Sequence, residues 1–170
     1  MAETLIIAGL MRDASRFELD PTCHAFYCSF TAMALDDTDD NIVQMELNKI
    51  IISEMQDSQF IWLKEVDGER KFAIVIGSGE AYAIDRRLKG IATQRPMTHD
   101  LLASVIEGMG GTIERIEINN LEGGTFFARI HIRQNGDVVK IDSRPSDAIA
   151  LGVATSVPIF VAEHVLEEVC

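Results

Sequence analysis

The chain has little cysteine and no long run of apolar residues. Its three cysteines, Cys23, Cys28 and Cys170, lack the spacing of a disulfide framework, so we expect reduced thiols. No segment approaches the ~20 apolar residues that are needed to cross a bilayer. Acidic Glu3 stands where a signal peptide carries basic residues. We therefore expect a cytoplasmic protein without a membrane segment.

Basic residues are also scarce. The chain has 15 Lys and Arg against 27 Asp and Glu, a net charge of −12, so a broad nucleic-acid footprint is excluded. No aromatic-rich basic platform for stacking bases is visible either. Two local basic groups remain. One lies between residues 86 and 95, and the other lies along the predicted hairpin of residues 125–142; they contain Arg86, Arg87, Lys89, Arg95, Arg129, His131, Arg133 and Lys140.

The first 41 residues differ from the rest of the chain. They carry two basic residues against eight acidic ones and end in a cluster of aspartates. We expect residues 1–41 to be an acidic extension, with poor order or simple packing, and residues 42–170 to be the domain. Cys23, His24 and Cys28 could suggest a zinc site, but no second ligand pair follows at finger-like spacing.

The remaining pattern predicts an α+β fold. Strands are expected where β-branched and alternating residues occur, over 43–53, 59–66, 71–77, 112–119, 125–134, 137–142 and 158–162. Helices are expected where apolar residues recur at helical spacing, from Ala81 to Leu88 and from Leu101 to Met109. A further helix is expected from Ser146 and a short one from Glu163. The prediction is mixed, mostly antiparallel sheets packed with about three helices. The Asn135-Gly136 pair predicts a type I′ hairpin.

Two segments open with Arg-Pro and lead into an apolar helix, Arg95 to Leu102 and Arg144 to Leu151. Each concentrates a guanidinium, a hydroxyl and a carboxylate at a helix start, where free N–H groups attract anions. Ordinary capping by Thr98 or Ser146 is the alternative explanation. The repeated pattern also raises the alternative of an internal duplication.

These segments carry a family resemblance. The run IGSGEAYAIDRRLKGIATQRPMTHDLLASVIEGMGG from Ile76 and the run DSRPSDAIALGVATSVPIFVAEHVLEEV from Asp142 resemble the bifunctional nuclease family. The similarity covers about residues 42–170. It implies DNase and RNase activity, with nucleic acid as the substrate, but it assigns no catalytic residues.

Phosphodiester cleavage needs an activated nucleophile and neutralised phosphate oxygens. Histidine changes its charge near neutral pH, so His99 beside Asp100 is a candidate acid or base, and Asp147 is the third catalytic candidate. Guanidinium groups bind two phosphate oxygens at once, which makes candidates of Arg95, Arg144, Arg86 and Arg87. A divalent ion, Mg²⁺ or Mn²⁺, would take carboxylate ligands, for which the candidates are Glu80, Asp100, Asp142 and Asp147. For each of these, capping or structural ion pairing is the alternative.

Two functions remain open. The first is a low-specificity, metal-assisted nuclease acting on DNA and RNA. The second is a non-catalytic anion-binding or regulatory module. In either case, the apolar stretches Ile50-Ile51-Ile52 and Phe60-Ile61-Trp62 offer more surface than one helix layer hides, so we expect a homo-oligomer, most simply a symmetric dimer.

Overall fold

The computed structural model describes residues 41–53 and 58–170. The strands of this part are β1 (Ile42–Ile51), β2 (Ser58–Glu65), β3 (Lys71–Gly77), β4 (Gly111–Glu122), β5 (Thr125–Gln134), β6 (Asp137–Ser143) and β7 (Ile159–Ala162). The helices are α1 (Ser78–Leu88), α2 (Thr98–Gly108), α3 (Pro145–Gly152) and α4 (Glu163–Val169), and a 3-10 turn covers Val153–Thr155. The predicted α+β class is confirmed. Residues 1–40, with Cys23, His24 and Cys28, lie outside the described residues.

The seven strands form one sheet in the order β3-β2-β1-β7-β4-β5-β6. Two antiparallel meanders, β1 to β3 and β4 to β6, lie on either side of β7. Strand β7 pairs antiparallel with β1 and parallel with β4. The mostly antiparallel sheet is therefore as predicted, and β7 joins the two strand-rich halves into a single sheet.

Alternate residues of the strands form the core. Ile61 and Leu63 of β2 and Ile116 and Ile118 of β4 are buried, as are the residues of α3 apart from Asp147. Since successive strand side chains point to opposite faces, one face of each strand enters the core and the other does not. The helix α3 is hydrophobic on nearly all sides, so burial there fixes the position of its first turn.

Helix α2 forms where it was predicted, but its apolar side is exposed. Leu101, Leu102, Val105, Ile106 and Met109 form the predicted apolar stripe, but no residue of α2 is buried. Four of them, Leu101, Leu102, Val105 and Met109, are 44–69% exposed. Helical spacing predicts one apolar face, yet it does not say whether that face meets this core or another surface. We call these four residues the α2 stripe.

Two further observations complete the fold. Asn135 and Gly136 have φ values of 53° and 94°, so the predicted type I′ hairpin between β5 and β6 is confirmed. Within residues 41–53 and 58–170, no helix is long and apolar enough to cross a membrane.

Candidate active site

The two Arg-Pro helix starts meet in the folded chain. His99 lies in the first turn of α2 and Asp147 in the first turn of α3. The Nε2 atom of His99 is 3.1 Å from Oδ1 of Asp147. Separate capping of the two helices does not require this contact. It brings a potential acid–base group and a carboxylate to one place.

The charge of Asp147 orients the imidazole of His99. Burial raises the pKa of the Asp147 carboxyl, but hydrogen bonds from Arg144 and His99 lower it more, so this pKa lies below the usual aspartate value. An ionised carboxylate can only accept, which means that Nε2 of His99 carries the hydrogen and donates it. Nδ1 then holds the lone pair, and it can take up a proton.

Arg144 links two carboxylates next to this pair. Its Nε atom is 2.7 Å from Oδ2 of Asp147, and its terminal nitrogen is 2.7 Å from Oε1 of Glu80. The Arg144 side chain is nevertheless 66% exposed. A guanidinium has five N–H groups, and these two contacts leave others for a ligand. Arg144 is therefore both an orienting group for Asp147 and an accessible anion contact.

Glu80 reaches Arg144 from the first turn of α1. A β-carbon added at Gly77, just before this helix, would lie 2.5 Å from Oε2 of Glu80. Glycine at this position therefore makes room for the carboxylate to fold back over the helix start. The side-chain pairing of Glu80 with Arg144 connects α1 to α3 at the edge of the candidate site.

Asp100 belongs to a different cluster. Its carboxylate pairs with Arg86 at 2.7 Å and with Arg87, and it accepts a 3.1 Å hydrogen bond from the backbone N–H of Met97. Burial raises the pKa of Asp100, but these donors outweigh it and hold the pKa below the usual value. Arg87 also donates to the carbonyl oxygen of Leu151. This cluster connects α1, α2 and α3. The catalytic role of Asp100 stays a prediction.

The predicted phosphate ligands fall into two groups. Arg86 and Arg87 are engaged by Asp100, and the Arg87 side chain is only 7% exposed. Arg95 is exposed, and within the described part of the chain its side chain makes no hydrogen bond or ion pair. Arg95 and Arg144 are thus the arginines that a phosphate can reach most directly.

The four predicted metal ligands do not form one cluster. Glu80 and Asp147 share Arg144, Asp100 pairs with Arg86 and Arg87, and Asp142 lies exposed on β6. Among residues 41–53 and 58–170, no three His, Cys, Asp or Glu side chains could hold a metal ion together. Hard ions need several open oxygen ligands, whereas Glu80, Asp100 and Asp147 face guanidinium groups. The described residues as arranged do not fit a divalent ion, and metal binding stays a prediction.

One buried cluster was missed in the sequence. His131 was expected on a basic strand face, but it is 2% exposed and its Nε2 atom lies 2.8 Å from Oε2 of Glu117. The contact with His131, helped by Arg115, holds the pKa of Glu117 below its usual value although burial opposes this. The register of β4 and β5 places Arg115 opposite His131, and this brings Arg115, Glu117 and His131 together. Aligning β4 with β5 in the sequence could have found it.

Comparison with known proteins gives the family of this domain. The described residues form an α+β domain in which the starts of α2 and α3 meet. A family model described as the bifunctional nuclease domain matches residues 61–170. That range contains both helix starts, and the chain belongs to the bifunctional nuclease domain family.

Individual relatives cover different shares of the chain. An uncharacterized protein of Mycobacterium tuberculosis is 35% identical over 119 residues, which are 70% of this chain and 71% of that protein. The protein named bifunctional nuclease 1 of Oryza sativa subsp. japonica is 24% identical over 109 residues. The match covers 62% of this chain and 33% of the rice protein.

Proposed function

We propose that the protein is a low-specificity nuclease that hydrolyses phosphodiester bonds in DNA and RNA. The observation that carries this proposal is the contact of His99 with Asp147 beside an accessible Arg144. Membership of the nuclease domain family supports the substrate class. The name of the rice relative agrees with it.

The residues have separate roles in this mechanism. A water molecule gives a proton to Nδ1 of His99 while its oxygen attacks the phosphorus atom. Arg144 and the exposed Arg95 neutralise the non-bridging oxygens. The bond from phosphorus to the leaving sugar oxygen breaks, and that oxygen takes a proton from solvent. The nucleophile is water and not the ribose hydroxyl, so the same steps apply to DNA and RNA.

The direct test is cleavage by highly purified protein. Fluorescent single-stranded DNA and RNA are incubated with the wild type, with His99→Ala and with His164→Ala, a matched change at an exposed histidine of α4. We expect cleavage by the wild type and by His164→Ala only. Equal cleavage by His99→Ala would contradict the proposal. A parallel arm with a chelator decides whether Mg²⁺ or Mn²⁺ assists, as the family resemblance implies.

A non-catalytic anion-binding module is the second candidate. The specific observation in its favour is that Asp100, Asp147 and Glu80 are all paired with arginines and are not open to a metal ion. This candidate predicts that the same labelled strands bind and remain intact at every protein concentration.

We also propose that the protein is a homo-oligomer, most simply a dimer, but through a different surface from the one expected. In the predicted surface Ile61 is fully buried and Ile51 is 42% exposed, whereas all four residues of the α2 stripe are exposed. An exposed apolar helix face of this kind marks a protein contact. Val105→Asp should shift the mass measured by light scattering from dimer to monomer. Val66→Asp, at an exposed valine outside the stripe, should leave the mass unchanged.

A further inference from the structure

A cavity of about 550 Å³ adjoins the candidate active site. It lies between β3, the turn from β4 to β5, and the start of α3, where Arg144, Pro145 and Ser146 line it. Arg144 is the residue that contacts Asp147, which in turn contacts His99. The cavity therefore shares Arg144 with the groups proposed to cleave the phosphodiester bond.

One wall of the cavity is the unpaired edge of β3. Residues from both faces of this strand line the cavity, Ile74 and Ile76 from the core side and Ala73 and Val75 from the other. A cavity lined by both faces lies along the strand edge. Strand β3 is last in the sheet order and pairs only with β2 among the described strands. Its outer row of backbone N–H and C=O groups is thus available to a ligand.

The other walls combine apolar side chains with hydroxyl groups. Phe126 forms part of the wall and stacks on Phe72, with ring centroids 5.6 Å apart. The Val75 side chain is 61% exposed at this edge. Thr125 and Ser146 add hydroxyl groups to the lining. Apolar walls with a few fixed polar groups are the usual character of small-ligand sites.

We infer that this cavity binds one unpaired nucleobase of the substrate, with the attached phosphate at Arg144. A base has two apolar faces and an edge of hydrogen-bond donors and acceptors, which match the apolar walls and the β3 edge. The exposed guanidinium of Arg144 has N–H groups beyond its contacts with Asp147 and Glu80, and these can donate to the phosphate. The inference rests on the proposed nuclease function and specifies the form of the substrate.

Two properties of the substrate follow. A base in a duplex is paired and stacked, so it must leave the helix before it can enter a cavity. Single strands are therefore bound in preference to duplexes. Backbone groups and apolar walls contact the base and not the ribose 2′-hydroxyl, so DNA and RNA strands bind alike.

The experiment compares two strands with equal charge. Fluorescence anisotropy measures the dissociation constants of a labelled six-nucleotide thymidine strand and of a six-unit abasic strand, using His99→Ala protein so that binding is separated from cleavage. We expect the thymidine strand to bind about tenfold more tightly, because one base stacked on an apolar wall contributes that much. Wild-type protein is tested in parallel for cleavage of the same strands.

Two variants test whether the difference in affinity between the two strands arises in the cavity. Val75→Glu places a charge on the cavity wall and should abolish the tenfold difference, whereas Val138→Glu, at an exposed valine of the other edge strand, should preserve it. Equal binding of both strands, or a full difference in Val75→Glu, overturns the inference even if the wild type cleaves. Displacement of the thymidine strand by an extended peptide but not by thymidine monophosphate also overturns it, in favour of strand addition to β3. Base-dependent binding without wild-type cleavage upholds the cavity and refutes the nuclease function.

Discussion

His99 and Asp147 are 48 positions apart in the sequence, and their side chains lie 3.1 Å from each other. The contact joins the first turn of α2, which follows α1 and a loop, to the first turn of α3, which follows β6. Arg144 lies 2.7 Å from the second oxygen of Asp147, so each oxygen of the carboxylate has a partner. The arrangement fixes the imidazole with one nitrogen directed at Asp147 and the other available.

The first prediction concerns Asp147→Asn. An amide keeps the size of the side chain but removes the charge that fixes the tautomer of His99, so cleavage should fall by on the order of a thousandfold. The rate is measured on a labelled single strand, with Asp137→Asn, at an exposed hairpin aspartate, as the control. Retention of full activity in Asp147→Asn would show that the contact is structural.

The second prediction concerns Asp100→Asn, which should act on stability. The substitution weakens the ion pairs with Arg86 and Arg87, and we expect a loss of about 2 kcal/mol in the free energy of unfolding. Urea unfolding measures this loss. Asp142→Asn, at an exposed position of β6, makes the same change in charge and should have little effect. Equal stability of the two variants would contradict the structural role of Asp100.

The third prediction concerns pH. The pKa values of Asp100, Asp147 and Glu117 are lowered in the folded protein. A lowered pKa stabilises the fold above the unfolded value of about 4, and this stabilisation is lost as the pH falls through the folded value. The midpoint of urea unfolding should therefore decrease below about pH 4. This decrease should be smaller in Glu117→Gln than in the wild type, whereas Glu167→Gln, at an exposed glutamate of α4, should behave as the wild type.

The fourth prediction concerns the boundary of the domain. The first strand begins at Ile42, and the carbonyl of Asn41 accepts a 2.8 Å hydrogen bond from the backbone N–H of Glu163. A chain that lacks residues 1–40 and keeps Asn41 should show a cooperative thermal transition. Removal of residues 1–45 should abolish it, because residues 42–45 are those that pair with β7. Loss of the transition in the shorter truncation would place part of the fold before Asn41.

Local elements of this fold were predictable from the sequence. The strands 71–77 and 125–134 have the predicted bounds, because β-branched alternation and turn residues act over a few positions. The hairpin at Asn135 and Gly136 follows from the positive φ values that these residues tolerate. The insertion of β7 between β1 and β4 was not predictable, because it depends on pairing between distant segments.

The candidate site was only partly predictable. The Arg-Pro pattern indicated His99 and Asp147, but Arg86 and Arg87 were expected to be open to phosphate. Both lie on a helix whose sequence gives no sign that Asp100, 14 and 13 positions away, will neutralise them. The exposure of the α2 stripe was not predictable either, because apolar spacing identifies one face of a helix and does not say what that face contacts.

The central position of β7 has a consequence for the order of folding. Ile42 pairs with Ala162, so β1 cannot acquire its second neighbour until nearly the whole domain has left the ribosome. Until then the two meanders expose the edges of β1 and β4, which β7 later joins. Pairing between such distant segments closes a long loop and slows folding. The nascent chain therefore passes through a period with two unjoined half-sheets, in which a chaperone, or pairing with another copy, competes with insertion of a four-residue strand.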